Sequence, residues 1–210
     1  GMNFCHIWIN RDGLIDMESI NPSVLLSVGE IIVKPLTFVY NLSLSRGIFP
    51  NKLKAAKVIP IFKNGDSGES SNYRPISLLS IFDKILEKLM YKRLVAFWSK
   101  SNIFFKHQYG FRENHSTIHA LTEVTDYIYK SLDEGFYVLG LFLDVSKAFD
   151  CVNHNTLLYK LYHYGIRGTI HDWFRSYLTN RTQFVDINTV HSRTEFVRCG
   201  IPQGSSLGPL

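Results

Sequence analysis

The segment FLDVSKAFD, Phe142 to Asp150, constrains this chain more than any other, because it sets one carboxylate, Asp144, at the polar end of the apolar run Val138 to Leu143. A short run rich in Val, Leu and Phe predicts a strand buried on both faces, although a buried helix segment shares that periodicity. An ionised carboxylate at the end of such a strand needs a cation. Read in isolation, Asp144 is a cap for a helix that follows, and only the rest of the chain gives it a different role.

At 210 residues, with 45% hydrophobic and 14% aromatic side chains, the chain is able to fill a packed core. The net charge of +5 is unevenly spread. No acid lies between Glu30 and Asp66 or between Glu87 and Glu113, whereas Glu123, Asp126, Asp133, Glu134, Asp144 and Asp150 gather around the apolar run. A chain that is basic early and acidic near Asp144 suits one part holding polyphosphate and another holding metal. Cys5, Cys151 and Cys199 are odd in number and share no metal-like spacing, so they suggest neither a disulfide framework nor a zinc site and predict a reducing, intracellular setting. Glu30, Lys34 and Pro35 interrupt the stretch Val24 to Leu44, so no membrane segment is expected.

Asn21 followed by Pro22 opens a helix, and Gly47 closes it, so Asn21 to Arg46 reads as helical with a break at Pro35. Lys54 to Phe62 and Arg74 to Leu79 read as a basic hairpin, with Asn64 to Asn72 as a mobile tip. Ser80 caps a helix with Phe82, Ile85, Leu86, Leu89, Met90 and Phe97 on one stripe. A second helix, Ser116 to Glu134, is expected to bury Ile118, Leu121, Val124 and Ile128 and to stop at Gly135. Two further helices follow, over Asn155 to Tyr164 and around Ile170 to Leu178, and then paired strands at Thr182 to Ile187 and Glu195 to Ile201. Helices mixed with few strands predict an α+β architecture.

Four segments in order, NYRPISLLS (Asn72 to Ser80), QYGFRENHST (Gln108 to Thr117), FLDVSKAFD and GIPQGSSLGPL (Gly200 to Leu210), resemble the reverse transcriptase domain of LINE-type retrotransposons, those without long terminal repeats. The likeness extends to RGIFPNKLKAAKVIPIFKNGD and HYGIRGTIHDWFRSYLTNRTQ. It implies a right-hand polymerase fold, fingers plus partial palm, divided as an N-terminal extension over 1–20, a helical lead-in and fingers over 21–135, and a partial palm over 136–210. The implied activity is that of an RNA-directed DNA polymerase, working in cytoplasm and nucleus on an RNA template, a DNA primer and deoxynucleoside triphosphates.

Such chemistry requires an in-line displacement at phosphorus clamped by two Mg²⁺ ions roughly 3.5–4 Å apart, with Mn²⁺ as the alternative ion. Mg²⁺ takes hard oxygen ligands, usually one or two carboxylates plus substrate phosphates. By resemblance Asp144 is the first metal-binding aspartate and the carbonyl of Val145 a further ligand. Phe149 sits where the family places a bulky side chain beneath the sugar of the incoming nucleotide, excluding a 2′-hydroxyl. Gln203 and Gly204 lie against the incoming nucleotide and template base, Lys63 and Arg74 grip the triphosphate, and Arg112 touches template backbone. Asp150, past a turn, is expected to make a salt bridge with Lys147 or a structural hydrogen bond instead of binding the ion.

The family's adjacent pair of aspartates is the one element without a counterpart, since no Asp-Asp occurs in the sequence. The expectation is a domain cut before that motif, whose 210 residues alone add no deoxynucleotides to a primer. The competing reading is a catalytically inactive remnant that binds nucleic acid or protein through its basic segments. His115 and His119 have the spacing of zinc ligands on a helix, but no glutamate base stands between them, and solvated helix histidines are the better reading.

Overall fold

The computed structural model describes residues 22–188 and 190–210. The N-terminal extension, Cys5 and the Asn21 cap lie outside them. Helices α1 (Pro22–Ser27) and α2 (Gly29–Arg46) are separated at Val28, not at Pro35. Val28 has near-bridge angles, φ −99° and ψ 3°, beside a helix-weakening glycine, whereas Pro35 removes one rung from an otherwise continuous helix of 18 residues. At the far end Gly47 takes a left-handed φ of 66° and its N–H bonds Leu44 O, while Ile48 N–H bonds Ser43 O, closing the helix as expected.

Strand β1 (Ala55–Phe62) pairs antiparallel with β2 (Tyr73–Leu78), from Lys57 opposite Leu78 to Phe62 opposite Tyr73. The tip is exposed and internally bonded. Asp66 Oδ1 accepts Gly68 N–H at 2.8 Å, Asn72 Nδ2 donates to Asp66 O at 2.8 Å, and Tyr73 OH donates to Ser67 O at 2.9 Å. Four helices follow: α3 (Ile81–Lys100), α4 (Thr117–Asp133), α5 (His154–His163) and α6 (Gly168–Leu178).

Strand β3 (Thr182–Ile187) then runs parallel to β1, with β4 (Val190–His191) and β5 (Glu195–Phe196) on its other side, so the order is β2-β1-β3-β4. The strand expected over Glu195 to Ile201 is only two residues long, because from Gly200 onward the chain bonds to residues 149–152 instead.

The core joins α3, α5 and α6, with α2 packed on α6. Phe49 is its hinge pin, edge-on to Trp173 and Tyr177 at 5.3 and 5.1 Å, with its N–H bonded to Ser176 Oγ at 3.0 Å. These contacts explain RGIFPNKL at the end of α2: the glycine turns the chain and the phenylalanine plugs the bundle.

Two neighbouring expectations fail. Residues 136–145 form no strand, and Leu139 and Leu143 are 95% and 84% exposed. Helix α4 forms as expected, capped by Ser116 and ended at Gly135 (φ 81°), but its apolar face is open, with Ile118 71% and Leu121 66% exposed. Periodicity reports which side chains share a face, not whether another element covers it; a strand exists only where a neighbour supplies its ladder, and no described strand pairs with 136–145. Asp144 caps no helix either. A turn over 146–151 follows, with Lys147 at φ 52° accepting from Asp150 N–H, and α5 is capped by Asn153 Oδ1 bonded to Thr156 N–H.

Candidate active site

Two of the other three segments bond directly to the loop of the fourth, residues 200–208, and QYGFRENHST reaches it through Phe149. Ser77 of β2 donates its N–H to Gln203 O at 2.8 Å, tying the loop to the hairpin edge. Gly200 N–H bonds Val152 O and Ile201 N–H bonds Phe149 O, each at 2.8 Å, tying it to the end of FLDVSKAFD. Phe149 in turn meets Phe111 edge-on at 6.2 Å, which brings in QYGFRENHST. A side chain is sterically excluded at two points: a Cβ on Gly204 (φ 112°) would stand 3.0 Å from Ser77 O, and one on Gly200 (φ 81°) 2.7 Å from Asp150 O. His154 Nε2 lies 2.7 Å from Gly200 O; a carbonyl only accepts, so that nitrogen carries the proton.

Gln203 is half-buried, and its Nε2 donates to Asp150 Oδ1 at 2.8 Å. Asp150 therefore makes the structural hydrogen bond of the two alternatives, and its partner is Gln203, not Lys147. Phe149 is half-buried, and its backbone carbonyl holds Ile201. Lys63 and Arg74 are exposed; Arg74 is opposite Ile61 on the hairpin, and Lys63, one residue past β1, bonds through its N–H to Asn72 O. Arg112 is half-buried, with Nη1 donating weakly to Phe105 O and Gln108 O at 3.3 and 3.5 Å and its guanidinium 5.1 Å from the Phe104 ring. His115 precedes α4, so it and His119 do not lie on one helix.

Asp144 and Val145 are exposed, outside helix and strand. Among the described residues no group of three or more His, Cys, Asp or Glu side chains is arranged to hold a metal ion. The resemblance of the sequence segments implies divalent metal ions, yet the described side chains assemble one exposed carboxylate and not a site, and this donor set does not fit a pair of ions.

A buried polar cluster beneath the loop was not anticipated. Asp83 and Glu87, one turn apart on α3, are both 0% exposed. Glu87 Oε2 accepts Ser206 N–H at 2.6 Å and Oε1 accepts Tyr177 OH at 2.5 Å. Asp83 Oδ2 pairs with Arg181 at 3.4 Å, while Oδ1 has no hydrogen-bond partner. The Arg181 guanidinium lies 4.7 Å from the Tyr177 ring centroid and 5.9 Å from that of Phe49. Burial, then repulsion from Glu87, raises Asp83 to about 8 against the pull of Arg181. Burial also pushes Glu87 up, opposed by the Tyr177 and Ser206 hydrogen bonds, and pushes the Tyr177 phenol up, with Glu87 adding to it. Buried Lys54 is lowered by desolvation and by Arg181. The available signal was the i,i+4 spacing of the two acids, which places them on one helix face.

A family model described as "Reverse transcriptase (RNA-dependent DNA polymerase)" matches residues 61–210. The chain is 36% identical over 182 residues to "Probable RNA-directed DNA polymerase from transposon BS" of Drosophila melanogaster, covering 83% of this chain and 19% of that protein. It is 35% identical over 175 residues to "RNA-directed DNA polymerase from mobile element jockey" of Drosophila melanogaster, again 83% of this chain and 19% of the relative. A more distant likeness, 28% over 177 residues, is to "Retrovirus-related Pol polyprotein from type-1 retrotransposable element R2" of Popillia japonica, covering 84% and 24%. The chain thus spans about a fifth of the length of these curated relatives.

Proposed function

Because the chain belongs to the reverse transcriptase (RNA-dependent DNA polymerase) family, we propose that it supplies the nucleotide- and template-facing part of a retrotransposon's RNA-directed DNA polymerase. The observation that carries this reading is the joining of the hairpin and the end of FLDVSKAFD to the loop 200–208, with Phe111 brought in against Phe149. Convergence of that kind is the requirement for a templating site, where backbone and short polar groups must be held at fixed positions.

In this reading the hairpin is part of the fingers and residues 136–210 are part of the palm of a right-hand polymerase. Exposed Lys63 and Arg74 meet the triphosphate, lysine as a point charge and arginine as a fork. Gln203, oriented by Asp150, and Gly204, open for lack of a side chain, lie against the incoming deoxynucleotide and its template base. Phe149, braced by Phe111, closes the space beneath the sugar. Arg112 contacts template backbone through the guanidinium nitrogens not engaged with residues 105 and 108. Asp144 contributes one hard oxygen, with the Val145 carbonyl beside it, toward Mg²⁺ or Mn²⁺. The remaining ligands of a two-ion arrangement are not assembled by the described side chains, so no step is assigned to the ions.

Primer extension tests the reading. A chain of the relatives' length carrying these residues should extend a DNA primer on an RNA template, and Asp144→Asn should abolish extension while leaving primer–template affinity within about twofold, since affinity rests on phosphate contacts. Extension that survives Asp144→Asn would remove this carboxylate from the chemistry.

A further inference from the structure

Beyond its bonds to residues 149–154, the loop that carries Gln203 and Gly204 is attached at two further points. One is the Ser77 N–H bond to Gln203 O at 2.8 Å. The other is the Ser206 N–H bond to Glu87 Oε2 at 2.6 Å, made by a side chain from the middle of a core helix. The loop also folds on itself, with Ser205 N–H bonded to Pro202 O and Gly208 N–H to Ser205 Oγ. No other charged side chain bonds the backbone of residues 203–208 among the described residues.

A carboxylate with no exposed surface is costly unless donors meet it. Tyr177 OH meets Oε1 from α6, inside the protein, but the backbone donors, Ser206 N–H on Oε2 and Leu207 N–H beside it, come from the loop. Without the loop, half of a buried acid would be left unpartnered among core side chains such as Leu86. On α3 itself the buried Ile85, Leu86 and Met90 are apolar, and the partners of the acid come from elsewhere, with Arg181 favouring its charge. Its hydrogen bonds reach the loop and the helix that precedes Arg181, so the acid couples the loop to the bundle and to the start of β3.

We infer that Glu87 is the positioning residue of this site, its carboxylate holding residues 203–208 so that Gln203 and Gly204 are presented along β2. The role in nucleotide placement rests on the polymerase reading above; the attachment itself does not. Glu87 does not touch substrate. It acts through the Ser206 amide, and it makes the loop conformation a property of the core.

Amide exchange is followed in the 210-residue chain and nucleotide binding in a chain of the relatives' length, each as wild type and as Glu87→Leu, Glu87→Gln and Ser206→Pro variants. Glu87→Leu removes both acceptors, whereas Glu87→Gln keeps an oxygen for the loop amide and an amide group able to donate to the Tyr177 oxygen; Ser206→Pro deletes one donated proton without altering a core side chain, so it serves if the buried substitution prevents folding. Amide hydrogen exchange at residues 206–208 is read beside fluorescence binding of a mant-labelled dATP, with a primer–template whose next base is uracil. In Glu87→Leu, exchange at Leu207 and Gly208 should quicken by ten-fold or more with α3 core amides unchanged, and Glu87→Gln should restore most of the protection. Nucleotide affinity should fall at least five-fold in Glu87→Leu and in Ser206→Pro, and no further in the double variant, while primer–template affinity is unmoved. Unchanged exchange in folded Glu87→Leu, or equal nucleotide affinity in wild type and Ser206→Pro, would overturn the inference. A wild-type chain of the relatives' length that binds no matched nucleotide would overturn the polymerase reading and with it the positioning role, while exchange would still decide the attachment.

Discussion

Gln203 and Asp150 lie 53 residues apart in the chain and are joined by a 2.8 Å hydrogen bond from the Gln203 amide to the Asp150 carboxylate. That bond occupies the acid that sequence spacing offers as a second metal ligand, and it fixes which way the glutamine amide faces.

Asp150→Asn retains an oxygen able to accept from Gln203, whereas Asp150→Ala does not. The alanine variant should lose about 1–2 kcal/mol of stability and the asparagine variant less than about half of that, because removing the acceptor strands a half-buried donor. Denaturant unfolding of both variants is the check, and equal losses would show that charge, not the hydrogen bond, is what matters at position 150.

The buried acids set a pH dependence. Asp83 is raised from 3.8 to about 8, chiefly by burial, so the folded state holds a proton that the unfolded chain has released over that interval. Stability should therefore decline as pH rises from about 4 through about 8 and level off above. Asp83→Asn, neutral at every pH, should flatten the curve between pH 6 and 8. Thermal melts of wild type and variant across that range decide it; parallel curves would show that Asp83 is ionised in the fold.

RNA binding should be weak and steeply salt-dependent, since the basic segments offer phosphate contacts. Removing Lys63 or Arg74, both exposed at the hairpin, should lower the slope of log affinity against log salt by about 0.7 per cation for a single strand. Titrations from about 50 to 200 mM salt give the slope. A slope untouched by the double substitution would place the RNA on another face.

The open apolar face of α4 and the exposed run through Leu139, Leu141, Phe142 and Leu143 predict self-association of the 210-residue chain, burial being worth ~25 cal/mol per Å². Leu141→Lys with Phe142→Lys should reduce it. Light scattering against concentration is direct, and a monodisperse wild-type monomer would show that this surface is tolerated in water.

Local signals in the sequence did determine much of this protein. Helix ends at Gly47, Ser116 and Gly135 follow from backbone and capping chemistry contained in a few residues, and so do the hairpin strands and, apart from exposed Phe97, the α3 stripe. The four segments, in order, were enough to identify the family and to nominate Gln203, Gly204, Phe149 and the hairpin cations. What they left undecided depends on partners distant in the chain. An apolar run such as Val138 to Leu143 carries the composition of a buried strand, but burial requires a neighbour's ladder, and here it is solvent-exposed. Asp83 and Glu87 read as polar interruptions of a helix; only the arrival of Tyr177, Arg181 and Ser206 from 90 or more residues away turns them into a buried network. Propensity, capping and motif order act over a few bonds and are visible in one dimension. Burial, pairing and the pKa of an enclosed acid are set by what the fold brings alongside, and those were decided by the tertiary structure alone.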